Sequence, residues 1–129
     1  MSSYILIVEN EEDIADVIRR YLEFEGYAIV CVTNCEAGRA ACAAKQPDLI
    51  VLDWHLPEME GDEWVAELRA HDSTADIPII MMTGGYPTPT LTLQLRAARI
   101  PLLIKPFSLG QLVESIKRMT SHEHALGAA

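Results

Sequence analysis

Asp53 closes an unbroken apolar run, Leu49-Ile50-Val51-Leu52, and Pro57 ends the pattern shortly after it. Three other apolar runs also end in polar functional groups: Val8 in Glu9-Asn10-Glu11, Met82 in Thr83-Gly84-Gly85, and Ile104 in Lys105-Pro106. If these runs are parallel strands of one sheet, their carboxyl ends lie along one edge, where open α/β sheets gather their ligands. Carboxylates, an amide, a hydroxyl and an ammonium would then converge on one shallow cleft. Each residue alone is an ordinary surface group, but their joint occurrence at successive run ends is hard to attribute to chance.

That set suits phosphoryl transfer to a carboxylate. An aspartate, with a reference pKa of ~3.9, is ionised at neutrality and needs no base to act as a nucleophile. The obstacle is bringing an anionic donor to an anionic site. A hard divalent cation removes it, and Mg²⁺ favours one or two carboxylates together with waters and phosphate oxygens. A lysine ammonium and a threonine hydroxyl can take the remaining phosphoryl oxygens.

The elements that must position these groups can be read in order. Tyr4–Val8 is too short for a helix and reads as a buried strand. Ile14, Val17, Ile18, Tyr21 and Leu22 form one helical stripe, with acidic residues at its start and Gly26 after its last turn. Tyr27–Val32 reads as an edge strand. Thr33-Asn34-Cys35-Glu36 offers a capping box into a helix whose alanines 37, 40, 41 and 44 allow close approach to a sheet. The run at 49–53 reads as a strand buried on both faces, and Gly61-Asp62 opens a helix carrying Trp64, Val65 and Leu68. Strands at 78–82 and 102–104 follow. The final helix is capped by Ser108 with Gln111, and its stripe is Leu109, Leu112, Val113, Ile116 and Met119. Between these strands, residues 90–96 alternate with period two, which by itself says strand. Thr88-Pro89 is a helix start, and the βα alternation demands a helix there. The whole predicts one α/β domain with a parallel sheet and right-handed crossovers.

Composition narrows the classes. The chain has 129 residues, half of them apolar, which suits one domain with its own core. Ten basic against nineteen acidic residues give a net charge of −9, which argues against nucleic acid as a direct partner. No run approaches the ~20 apolar residues needed to span a bilayer, and Met1-Ser2-Ser3-Tyr4 lacks the features of a signal peptide. Cys31, Cys35 and Cys42 have no metal-ligand spacing and read as reduced core residues. A cytoplasmic protein with no membrane contact is expected. Residues after about 120, with His122 and His124, read as a flexible tail (121–129) rather than as ligands.

From residue 4 to about 120 the sequence resembles a response-regulator receiver domain of two-component signalling, of the single-domain, chemotaxis-receiver-like kind. The resemblance rests on Ile-Leu-Ile-Val-Glu-Asn-Glu, Leu-Asp-Trp-His-Leu-Pro-Glu-Met-Glu-Gly, Met-Met-Thr-Gly and Leu-Ile-Lys-Pro-Phe, in that order. It implies a doubly wound, flavodoxin-like sheet in the order 2-1-3-4-5 with helices on both faces. It implies phosphorylation of Asp53 by a sensor histidine kinase or a histidine phosphotransfer protein, with Mg²⁺ as cofactor and Thr83 and Lys105 as assisting residues. Glu9, Asn10, Asp53 and the backbone carbonyl of His55 would form the metal shell, and Lys105-Pro106 would be cis. Thr83 would move toward the phosphoryl group and change the face made by the fourth helix, fifth strand and fifth helix. With no output domain after residue 120, that face would signal in trans to a downstream protein target, and a homodimer is a further possibility. Such a chain is a signalling receiver in a phosphorelay, catalysing only its own phosphoryl transfer and dephosphorylation.

Three positions depart from the family pattern. The acidic pair reads Glu9-Asn10, which removes a charge from the metal site and predicts weaker Mg²⁺ binding, offset in part by Glu11. Leu102 stands where many members carry an aromatic that swings inward with Thr83. His55 stands where side chains overhang the phosphoryl group and tune its hydrolysis, and Gly84 is a further modulating position. Glu9-Asn10 and Leu102 keep open an alternative, a receiver-like binding module that works without phosphate. A small metabolite phosphatase would need a second acid-base carboxylate near Asp53, and Trp54-His55 supplies none. An FMN carrier would need a Ser/Thr-rich loop after the first strand, and none is there.

Overall fold

The computed structural model describes the backbone of residues 3–128 and the side chains of 3–120; His122 and His124 lie outside the described side chains. Five strands alternate with five helices: β1 (Ile5–Val8), α1 (Glu12–Phe24), β2 (Ile29–Val32), α2 (Cys35–Ala44), β3 (Leu49–Asp53), α3 (Gly61–Ala70), β4 (Ile79–Thr83), α4 (Pro89–Ala97), β5 (Leu102–Ile104) and α5 (Leu109–Ala128). All pairings are parallel, in the order β2-β1-β3-β4-β5. The α5 backbone is helical through 121–128, the stretch read as a tail.

The apolar runs at β1, β3 and β4 are buried on both faces because helices cover both sides of the sheet. Strand alternation sorts them. Ile5, Ile7, Leu49, Val51, Ile80 and Met82 pack against Ile18 and Leu22 of α1 and Leu112, Val113 and Ile116 of α5. Leu6, Val8, Ile50, Leu52, Ile79 and Met81 pack against α2, α3 and α4 through Cys35, Cys42, Trp64, Leu68 and Leu95. Strands β2 and β5 are the half-buried edges.

Several local expectations need correction. Val17 is 55% exposed, and Ala15 takes the buried place beside Ile18 and Leu22. The N-cap of α2 is Asn34, not Thr33: its side chain accepts from Ala37 N at 2.8 Å. Ala40 and Ala44 face solvent, and Cys35, Gly38 and Cys42 are the buried residues of α2. Gly38 makes the close helix approach, since a Cβ there would stand 2.9 Å from Cη2 of Trp64. The alternating stretch 90–96 is helical, capped by Thr88 with Pro89 in its first turn, and it buries only Leu95. Gly26, at φ +101°, ends α1 as its position implied.

Candidate phospho-acceptor site

Three strand ends build the centre of the site. Asp53 is the last residue of β3, in step with Leu49 and Val51, so its carboxylate leans toward the α1/α5 side. Glu9 continues β1 with the same parity as Ile5 and Ile7, and its backbone N–H donates to Val32 O at 3.0 Å. Lys105 follows β5 in step with Leu103, and its N–H donates to Thr83 O at 2.7 Å. The Lys105-Pro106 peptide bond is cis.

These side chains meet. Lys105 Nζ donates to Glu9 Oε1 at 2.6 Å and to Asp53 Oδ2 at 3.4 Å. Asp53 Oδ1 accepts from His55 N at 3.2 Å, and Glu9 Oε2 accepts from Glu11 N at 3.1 Å. Asp53 is 4% exposed and Glu9 is fully buried, so both carboxylates lie under the surface. Burial pushes the Asp53 carboxyl up to about 6, and Glu9 adds to this through a hydrogen bond and its charge. Lys105 and the His55 N–H pull the other way. For Lys105, burial favours the neutral amine, but bonding to Glu9 and the two carboxylate charges outweigh it and hold its pKa above the ordinary value.

The remaining expected residues lie around this centre. Thr83 is buried at the end of β4, but its parity is that of Ile79 and Met81, and its hydroxyl accepts from Gly85 N at 3.4 Å. It takes no part in the carboxylate–lysine hydrogen bonds among the described residues. Gly84 is exposed, and a Cβ there would meet nothing within 4 Å. Leu102 is half-buried and packs on the α2/α3/α4 cluster. The His55 ring is exposed, with Nδ1 3.4 Å from Glu60 Oε2.

The loop from Trp54 to Glu60, which carries His55, is anchored by contacts that sequence reading missed. Gly61 N donates to Trp54 O at 2.7 Å, His55 and Glu60 form an antiparallel bridge, and Glu60 and Glu63 cap α3 reciprocally. Glu58 reaches across to α2, where its Oε1 accepts from Cys35 N at 2.9 Å. The Glu60-x-x-Glu63 spacing was a legible capping signal; the Glu58 contact joins loops distant in sequence and left none.

Similarity to known proteins bears on this arrangement. A family profile described as the response regulator receiver domain matches residues 5–117. The chain belongs to the response regulator receiver domain family. Among curated relatives of this receiver, the phosphate regulon transcriptional regulatory protein PhoB of Pseudomonas aeruginosa is 36% identical over 113 residues, covering 88% of this chain and 49% of that protein. The chain spans about half the length of the PhoB proteins it matches. A CheY-like receiver domain protein of Methanospirillum hungatei superposes with a TM-score of 0.83 at 29% identity, covering 97% of this receiver and 99% of that chain. The chemotaxis protein CheY4 of Vibrio cholerae, at 23% identity and a TM-score of 0.82 over 92% of this chain and 99% of its own, shares the fold.

Proposed function

We propose that this receiver is a phospho-acceptor, taking a phosphoryl group onto Asp53 from a sensor histidine kinase or a histidine phosphotransfer protein. The observation that carries the reading is Lys105 bridging two buried carboxylates at the strand ends, one of them Asp53. In the step, an ionised Asp53 oxygen forms a bond to phosphorus. The bond from phosphorus to the imidazole nitrogen of the donor breaks, and that nitrogen keeps the electron pair. Lys105 is held protonated and meets charge that develops on the phosphoryl oxygens, and Thr83 moves toward them with its hydroxyl as donor.

Receiver domains use Mg²⁺ for this chemistry. The donor set here fits it: the carboxylates of Glu9 and Asp53, the Asn10 amide oxygen and the His55 carbonyl are all hard oxygen ligands. Bound there, the cation would neutralise the approach of two anionic groups. Only two of these four donors carry charge, so binding is weaker than a third carboxylate would make it.

The output reading is a change in the face made by α4, β5 and α5, presented in trans to a downstream protein in the cytoplasm. In its support, α4 buries only Leu95 and leaves Leu93 64% exposed, so a small change in packing can move it. No helix among the described residues is long and apolar enough to cross a membrane. A second reading, a binding module independent of phosphate, is favoured by Asn10 and by the aliphatic Leu102.

Intact-protein mass after incubation with a small acyl phosphate separates the two, with and without Mg²⁺ and alongside Asp53→Asn. A Mg²⁺-dependent phosphoryl adduct missing in the variant supports the phospho-acceptor. No adduct from several donors at high Mg²⁺ supports the second reading.

A further inference from the structure

The Asn10 side chain satisfies its neighbours only with its amide nitrogen turned toward the two carboxylates. So turned, it donates to Asp53 Oδ2 at 3.1 Å and to Glu9 Oε2 at 3.3 Å. Every oxygen of the pair then has a donor from this chain: Lys105 on Glu9 Oε1 and Asp53 Oδ2, His55 N on Asp53 Oδ1, and Glu11 N with Asn10 on Glu9 Oε2. Two carboxylates packed this closely repel, and Lys105 supplies one positive charge against their two. The amide adds no charge but ties the pair together, one nitrogen donating to an oxygen of each. An aspartate at position 10 would put an acceptor where the amide donates and add a third negative charge.

We propose that Asn10 is a latch across the Glu9–Asp53 pair, letting the resting site stand without a cation. The same side chain sets cation affinity. To offer its oxygen to a divalent ion, the amide must turn over and give up both hydrogen bonds. This rests on the cation site proposed above and assigns a role in it to one residue of this chain: Asn10 determines how far the fold depends on the metal.

The test is thermal unfolding of the wild type, Asn10→Asp and Asn10→Ala in EDTA and across a MgCl₂ titration. In EDTA, Asn10→Asp melts below the wild type by about 3 °C or more. It regains that loss as Mg²⁺ is added, with an apparent dissociation constant about tenfold tighter than that of the wild type. Asn10→Ala, which loses the donor without adding charge, melts slightly below the wild type in EDTA and gains nothing in Mg²⁺ affinity. Asn10→Asp as stable as the wild type in EDTA would overturn the latch, and equal Mg²⁺ affinity in the two would overturn its control of the site.

A direct measurement covers the case in which Asn10→Asp fails to fold without metal. The side-chain NH₂ resonances of Asn10, identified by their loss in Asn10→Ala, shift on adding Mg²⁺ to the wild type if the amide turns over. Their indifference to saturating Mg²⁺ counts against the proposal. If neither protein responds to Mg²⁺ at all, the cation site fails, while the melting difference in EDTA still decides the latch. Phosphorylation of Asp53 is read separately, by mass.

Discussion

Lys105 Nζ stands 2.6 Å from Glu9 Oε1, joining residues 96 positions apart in the sequence. Glu9 is fully buried, and the lysine side chain is 20% exposed. The contact is therefore a shielded ion pair shared with Asp53, and removing one member leaves charge without a partner.

Lys105→Met tests that dependence. At pH 7 in EDTA the variant is expected to lose about 3 kcal/mol of stability, because two buried carboxylates lose their cation. Part of the loss returns at pH 5, where Asp53, already pushed up to about 6 in the intact site, is protonated. Urea unfolding at the two pH values measures both effects. Equal losses at both would refute the charge explanation.

Asp53→Asn should raise stability in the absence of metal. The folded-state pKa of Asp53 is lifted from 3.8 to about 6, so the folded protein holds this proton more tightly than the unfolded chain does. Its contribution is favourable below the unfolded value and is lost as pH rises through about 6. Asp53→Asn is therefore expected to lie close to the wild type near pH 4 and to exceed it at pH 7 by about 2–3 kcal/mol. Denaturant midpoints in EDTA across this range are the measurement, and a gap that narrows with rising pH would contradict it.

Gly38→Ala probes the contact between α2 and α3. The new methyl carbon would stand 2.9 Å from Cη2 and 3.1 Å from Cζ2 of the buried Trp64 ring. Overpacking of this kind costs about 1–3 kcal/mol, against a helix-propensity gain of about 1. A lower urea midpoint with altered tryptophan emission is expected, and a more stable variant would show that the two helices separate freely.

Helix α4 should open more readily than α1. It buries only Leu95, whereas α1 buries Ala15, Ile18 and Leu22. Amide hydrogen exchange over residues 93–97 is expected to be faster than over 16–22. Equal protection would remove the argument for a loosely held output face.

Much of this protein could be read from local pattern alone. Unbroken apolar runs at β1, β3 and β4 must be covered on both faces, which with the helical stripes between them points to a parallel sheet and puts Glu9, Asp53, Thr83 and Lys105 along one edge. Ser108 with Gln111, Thr88 with Pro89, and Gly26 mark helix ends through short-range geometry, so they too were legible. Tertiary packing decided what each of these groups touches. The rotation of α2 that buries Gly38 against Trp64, the exposure of Val17 and the reach of Glu58 to Cys35 N all depend on neighbouring elements. A carboxamide offers a donor at one end and an acceptor at the other, and sequence does not say which faces a neighbour. At Asn10 only the folded carboxylate pair, brought together from β1 and β3, turned the donor inward.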